Sequence, residues 1–203
     1  MKTIFITQKI VKDKYGSLNF VVENNWYDFF KAKKINLVPV NKVENMINFK
    51  YSDVSGIIIH GGNDLPSKKR NFENSLRKKL DLSLIKFALK KRIPILGVCY
   101  GFQVIAEMYG YKLKKKSGHV KTSHKININL NYIGENTLKV NSFHNYVIKN
   151  LPKFFNKISK SSDGTIELAF SNKKKILCTM FHPERKNKSQ KLLKKIIFDH
   201  FNI

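Results

Sequence analysis

Acidic residues are scarce in this chain: 14 Asp and Glu stand against 39 Lys and Arg in 203 residues, a formal net charge of +25. It has two cysteines, five prolines and one tryptophan. Two cysteines cannot staple a fold, which excludes a disulfide-rich secreted scaffold and leaves stability to an apolar core. No run of eighteen apolar residues occurs, so no membrane-spanning helix is expected. Met1 to Gln8 reads as a charged strand rather than a signal peptide, and the cytoplasm is the expected location. No helix-turn-helix, zinc-finger spacing or RNA-binding aromatic motif accompanies the lysines. They fall in short clusters, Lys31 to Lys34, Lys112 to Lys116, Lys173 to Lys175 and Lys194-Lys195. The charge is therefore read as a Lys-, Asn- and Ile-rich composition on solvated faces, with an anionic substrate as the next reading and nucleic acid the least expected partner. No histidine and carboxylate cluster shows ligand spacing along the chain, so neither metal nor cofactor is expected.

What is present alternates strand and helix. Thr3 to Thr7 reads as a buried strand, Lys9 to Asn19 as a polar loop, and Asn25 to Lys34 as a helix with Trp26, Phe29 and Phe30 on one side. Ile35 to Val40 is the next strand, followed by a short helix near Val43 to Phe49 and a strand at Ile57 to His60. Asn71 to Lys91 carries Leu76, Leu80, Leu84 and Phe87 at a helical period and reads as amphipathic. Then comes the apolar run Ile93-Pro94-Ile95-Leu96 and a helix through Tyr109. Beyond Tyr111 the pattern changes to strands at Ile126 to Leu130, Leu138 to Val140, Ile166 to Phe170 and Ile176 to Met180, closed by a helix from Ser189 to Phe201. The first half predicts an α/β fold with a mostly parallel central sheet flanked by helices, and the second half an antiparallel edge. No internal boundary, repeat or linker divides residues 1–203, which are expected to form a single domain.

Chemistry concentrates at Gly97-Val98-Cys99-Tyr100-Gly101. A cysteine between two glycines, after an apolar strand and before a helix, describes a nucleophile elbow; a buried structural cysteine is the alternative. A nucleophile needs a base, and the base an orienting group. His182 stands in Phe181-His182-Pro183-Glu184-Arg185, just past an apolar strand, and Glu184 is close enough along the chain to reach its imidazole. Ile57-Ile58-Ile59-His60-Gly61-Gly62-Asn63-Asp64 runs a buried strand into a glycine pair, either an ordinary turn or a loop that presents backbone N–H groups. The second cysteine, Cys178, lies inside an apolar strand and reads as core.

With Cys99, His182 and Glu184 matching its triad, the chain resembles the class I glutamine amidotransferase family over nearly its whole length. The resemblance implies a flavodoxin-like three-layer fold and a γ-glutamyl thioester on Cys99. It also implies an oxyanion hole formed by the backbone N–H groups of Gly62 and Tyr100; such donors contribute roughly 3 kcal/mol each. Gln103 matches a family glutamine that contacts the amino-acid end of the substrate. Val140-Asn141-Ser142-Phe143-His144 is similar to the V-N-S-x-H signature of free-standing γ-glutamyl hydrolases. It points to Ser142, Phe143 (through its backbone) and His144 as substrate contacts, with His144 also readable as an ordinary polar residue. Gly118-His119-Val120 with His124 falls where the family places a substrate-binding segment, though both histidines also read as surface residues. His60, where proline is more usual, and Asn145-Tyr146 after the signature depart from the family near the expected pocket.

The resemblance leaves the leaving group open. Relatives act on γ-glutamyl amines from polyamine breakdown and on γ-glutamyl-CDP-amidate in bacterial capsule phosphoramidate synthesis. The basic composition favours the nucleotide-linked substrate, with Tyr15, Trp26, Tyr100, Lys121, Lys125 and Arg185 expected at the mouth of the site. A glutaminase subunit that passes ammonia to a synthetase partner is the alternative, and a basic non-enzymatic nucleic-acid-binding protein the distant one.

Overall fold

Val54–Ile59 and Ile95–Val98 are buried at every residue, a pattern suited to strands covered on both faces. The computed structural model, which describes residues 1–130 and 134–203, places them side by side at the centre of a seven-stranded sheet. In chain order the elements are β1 (Lys2–Ile6), β2 (Lys9–Lys12), β3 (Leu18–Val21), α1 (Asn25–Phe30), β4 (Ile35–Pro39) and α2 (Glu44–Ile47). There follow β5 (Val54–Ile59), α3 (Phe72–Lys91), β6 (Ile95–Val98), α4 (Tyr100–Met108), β7 (Lys114–Lys115), β8 (Val120–Leu130) and β9 (Gly134–Phe143). The chain closes with β10 (Tyr146–Val147), β11 (Lys157–Lys160), β12 (Ile166–Ser171), β13 (Ile176–Thr179) and α5 (Gln190–Phe201).

The sheet order is β11-β12-β13-β6-β5-β1-β4. The strands from β13 to β4 run parallel, and β12 and β11 are antiparallel, so the expected parallel sheet with an antiparallel edge is present. Successive side chains on a strand point to opposite faces, and two cores result. Phe5, Ile57, Ile59 and Ile95 face Leu84, Ile85 and Ala88 of α3 and Phe102 and Ile105 of α4. Ile4, Ile6, Ile58, Leu96 and Val98 face Trp26, Phe29 and Phe30 of α1 and Leu193, Ile196, Ile197 and Phe201 of α5. Among the described residues no helix is long and apolar enough to cross a membrane.

Three expectations need correction. Lys9 to Asn19 is not a loop: β2 and β3 form an antiparallel hairpin in which Ile10, buried, pairs with Phe20. Its turn is closed by Asp13, whose Oδ1 accepts from the backbone N–H groups of Tyr15 and Ser17 at 2.9 Å each, and by Gly16 at φ +90°. The strands from 126 to 140 are not part of the sheet edge. β8 and β9 pair with each other as a long ribbon, and Ile126, Ile128, Leu138 and Val140 pack it onto the α1 and α5 face.

The third correction concerns α3. Its N-terminal half buries Asn74, Arg77 and Asp81, whereas Leu76 and Leu80 are only half-buried. The apolar periodicity located the helix but not the face it turns inward. Asn71 caps it, accepting from Asn74 N at 2.8 Å, and Arg92 ends it in the left-handed conformation at φ +55°.

Candidate active site

β6 ends at Val98, and the next residue, Cys99, lies at φ +49°, ψ −100°, a conformation few L-residues adopt. The structure around it enforces that strain. Cys99 N donates to Thr179 O of β13 at 2.8 Å, and Gln103 N of α4 donates to Cys99 O at 3.0 Å. The flanking glycines allow the close approach: a Cβ on Gly101 would sit 1.9 Å from Ile59 O, and one on Gly97 would sit 2.8 Å from Ile105 Cδ1. The thiol thus stands at the carboxyl end of the central parallel strands, beside the first turn of α4. The first N–H groups of a helix, that of Tyr100 among them in α4, have no intrahelical carbonyl.

β13 delivers the second component. Past its end, His182 Nδ1 donates to Glu184 Oε1 at 2.7 Å, with both side chains buried. That bond fixes the tautomer and leaves Nε2 for Cys99. Burial works to lower the imidazole pKa, but the Glu184 charge and the hydrogen bond with Cys99 outweigh it, and the pKa is pushed up. Gln190 Nε2, at the start of α5, holds Pro183 O at 2.9 Å and fixes the turn between the His182 imidazole and the Glu184 carboxylate.

Asn141 had no role in the sequence reading, yet it pins His182 from β9. Its Nδ2 donates to His182 O at 2.8 Å, while His182 N donates to its Oδ1 at 2.9 Å. Arg77 is the other residue that reading missed. Buried under the glycine loop, its guanidinium donates to the carbonyls of His60, Gly61 (3.1 Å) and Gly62, and to Asn63 Oδ1 at 3.0 Å. Nε pairs with Asp81 at 3.2 Å, and the guanidinium carbon lies 4.0 Å from the centre of the Tyr100 ring. With the carbonyls drawn down onto Arg77, the loop turns at Gly62, φ +82°. Gly61 abuts His182 so closely that a Cβ would lie 2.5 Å from His182 Cε1. A signal for Arg77 did exist, namely the polar stripe Asn74, Arg77, Asp81 at helical spacing.

Cys99, His182, Gly62 and Gln103 line one cavity of about 150 Å³, with Asn63, Asp64, Phe143 to Tyr146 and Arg185 completing the wall. It suits a group the size of an amino acid. Gln103 Nε2 reaches Tyr146 O at 3.4 Å. The Phe143 ring stands edge-on to His182, with centroids 6.1 Å apart, and Arg185 lies over that ring at 4.9 Å while its two nitrogens hold Glu23 at 2.9 and 3.2 Å. Ser142 is elsewhere: fully buried, it donates to His119 O at 2.6 Å and is not on the cavity wall. His144 borders the cavity, but its Nδ1 is turned to Tyr146 O at 3.1 Å.

The expected aromatic mouth is also corrected. Trp26 and Tyr100 are both buried, one in the α1 core and the other over Arg77, so neither ring is free to meet a ligand. Tyr15 is exposed at the tip of the β2–β3 hairpin. Cys178 is buried core as expected, and burial pushes its thiol pKa up. His119 is not a surface residue, and the fold does gather a cluster of histidines and a carboxylate that chain spacing hides: His119, His124, His144 and Glu167.

Residues 10–202 match the family model described as glutamine amidotransferase class-I. The chain is 29% identical to the γ-glutamyl-CDP-amidate hydrolase of Campylobacter jejuni over 189 residues, 91% of this chain and 90% of that one. It is 31% identical to the glutamine amidotransferase-like protein YvdE of Lactococcus lactis over 174 residues, 73% of each chain. Among solved structures, a glutamine amidotransferase from Thermotoga maritima superposes with a TM-score of 0.70 at 14% identity, covering 100% of this chain and 99% of that one.

Proposed function

Since the chain belongs to the glutamine amidotransferase class-I family, we propose that it hydrolyses a γ-glutamyl amide on Cys99, with a phosphorylated, nucleotide-linked leaving group of the γ-glutamyl-CDP-amidate type. The observation that carries this reading is the strained Cys99 sharing one cavity with a His182 that is oriented by Glu184 at 2.7 Å.

In this mechanism His182 Nε2 takes the thiol proton, and Sγ attacks the γ-carbonyl carbon. Negative charge collects on the carbonyl oxygen, where the backbone N–H groups of Gly62 and Tyr100 receive it. The carbon–nitrogen bond breaks as the imidazolium returns its proton to the leaving nitrogen, and a γ-glutamyl thioester remains. Water then gives a proton to the same imidazole and attacks the thioester. The Cys99 thiol is regenerated and glutamate is released. Gln103 and the backbone of Phe143 hold the amino-acid end in the small cavity, and His144 closes its wall.

A cavity of about 150 Å³ holds the glutamyl part and leaves a nucleotide to extend outside it. Arg185 lies on that wall, on the side the leaving group would extend from. Its guanidinium suits a phosphate at the opening. The match to the C. jejuni hydrolase across nine-tenths of both chains supports the same substrate class.

The test is glutamate release by the purified chain, with Cys99→Ala as control, from free glutamine, a neutral γ-glutamyl amine and γ-glutamyl-CDP-amidate. Preference for the nucleotide conjugate is the expected result. Equal turnover of the neutral amine would overturn the assignment of the leaving group, and activity on glutamine only with an added synthetase would make the chain an ammonia-supplying subunit. Full activity of Cys99→Ala would remove the mechanism itself.

A further inference from the structure

Three histidines, one in a strand and two in the segments beside strand ends, converge on one carboxylate behind the V-N-S-x-H segment. His119 precedes β8, His124 lies in β8, His144 follows β9 and Glu167 belongs to β12. One donor atom from each lies within 4.8 Å of all the others. Glu167 Oε1 is 3.6 Å from His119 Nδ1, 3.8 Å from His124 Nε2 and 3.5 Å from His144 Nε2. The side chains of His119, His144 and Glu167 are 2, 1 and 0% exposed, and that of His124 is 14%.

The protons on this cluster can be assigned. His119 Nε2 is 2.8 Å from Asp163 Oδ2, which accepts, so Nε2 carries the hydrogen and Nδ1 presents a lone pair to the centre. His144 Nδ1 is 3.1 Å from the carbonyl oxygen of Tyr146, again an acceptor, so its Nε2 presents a second lone pair. Among the described residues, His119 Nδ1, His124 Nε2, His144 Nε2 and Glu167 Oε2 have no hydrogen-bond partner, and all four atoms are buried. Two imidazole lone pairs thus face a carboxylate in a buried interior. Left so, the arrangement is unfavourable, because these buried acceptors lack a donor, and only Glu167 Oε1 has one, Thr165 Oγ1 at 3.5 Å.

The geometry points to a bound divalent transition-metal ion, zinc by its donor set, held by His119 Nδ1, His124 Nε2, His144 Nε2 and Glu167. Three imidazoles disfavour calcium and magnesium, which take oxygen. Tetrahedral zinc with bonds of about 2.0–2.1 Å sets its donors roughly 3.3–3.4 Å apart; the Glu167 to histidine distances of 3.5–3.8 Å already approach that, and the donor set as a whole, spread within 4.8 Å, draws in around the ion. Asp163 on His119 and the Tyr146 carbonyl on His144 are the outer partners that metal-bound histidines ordinarily have. Asp163 is itself held by Lys116 Nζ at 2.6 Å and Ser161 Oγ at 2.8 Å.

Four protein donors fill a tetrahedron, so the site is structural. It ties the β8–β9 ribbon and the turn after it to β12 of the sheet, with Asn141, which pins His182, on the same strand β9. The rival occupant is a proton: a charged His124 would bridge the cluster without any metal. This inference does not depend on the reading of Cys99, and the two fail separately.

The full-length chain, stripped with a chelator and reloaded with zinc or cobalt, decides between them. About one zinc per chain should survive desalting in both wild type and Cys99→Ala, and be lost in Glu167→Gln and His124→Asn. Cobalt should give the visible bands of a four-coordinate nitrogen and oxygen site. Zinc should raise the melting temperature of the stripped wild type on the order of 5–10 °C, and that of Glu167→Gln not at all. If Glu167→Gln does not fold, His124→Asn at the half-buried edge carries the comparison. No retained ion in the folded wild type, retention undiminished in both variants, or a thiolate band that Cys99→Ala removes would each overturn the site.

Discussion

Asn141 and His182 are joined by a closed pair of hydrogen bonds, amide to backbone in both directions, at 2.8 and 2.9 Å. The pair spans two structural units, because Asn141 is on the ribbon strand β9 and His182 follows the sheet strand β13. The imidazole is therefore located by two neighbours: Glu184 sets its tautomer, and Asn141 sets where its backbone stands.

Replacing Asn141 by Ala should lower kcat for glutamate release about 10- to 100-fold and leave KM nearly unchanged, since the loss is one of aim rather than of substrate contact. Asn141→Asp, which keeps the acceptor but turns a second oxygen on His182 O, should fare no better. Steady-state kinetics of the two variants check this, and a KM effect alone would assign Asn141 to binding.

Glu184→Gln removes a charge at constant shape. It should cost about 10²- to 10⁴-fold in kcat. The Glu184 charge raises the His182 pKa against burial, so the imidazole of the variant should titrate lower than in wild type. Histidine NMR titrations give the comparison directly.

Arg77 and Asp81 form a buried pair, and removal of one partner strands the other. Arg77→Met should destabilise the fold by about 3–5 kcal/mol, and the Arg77→Met, Asp81→Asn double variant should recover part of that loss. Chemical denaturation measures it. Glutamate release should stay impaired in the double variant, because the His60 to Gly62 carbonyls still lack their donor.

Gly101→Ala should prevent folding or cost more than about 3 kcal/mol, as its methyl would meet Ile59 O, a backbone atom that cannot yield. Circular dichroism against temperature tests this.

His60 predicts an acid limb of stability. Burial, aided by the Arg77 charge, lowers its pKa from 6.5 to about 3. The unfolded chain then binds a proton between those values that the folded chain refuses, so stability is complete above pH ~6.5 and falls as pH drops toward ~3. The loss amounts to a few kcal/mol on the scale of about 1.4 kcal/mol per unit. Denaturation midpoints should fall through this window in wild type and less steeply in His60→Gln.

Much of the scaffold could be read from apolar patterning, and the reasons it failed are local. β5 announces itself through Ile57-Ile58-Ile59, β6 through the run from Ile93 to Leu96, and α5 as an apolar stripe ending at Phe201. The β2–β3 hairpin did not, because Lys9, Lys12 and Lys14 mask the pairing of Ile10 with Phe20. In α3 the misleading signal was Leu76 and Leu80, which are half-exposed, while the loop selects Arg77 for burial by the carbonyls it supplies. The elbow and the His-Pro-Glu turn were legible because sharp geometry needs particular residues at fixed spacing. Asn141 was not, since an asparagine that grips a backbone forty-one positions away leaves no local pattern. The four-residue cluster around Glu167 was hidden for the same reason, its members being neighbours only after β8, β9 and β12 are in place.

The β8–β9 ribbon pairs with itself, apart from the sheet whose strand ends carry Cys99 and His182. One side of the cavity wall, Phe143 to Tyr146, thus comes from the ribbon and the turn beyond it, and the rest from the parallel scaffold and its loops. Such a division is modular: wall segment 143–146 should accept exchange without disturbing the strand ends that carry Cys99 and His182, with Asn141 as the joint between the two units.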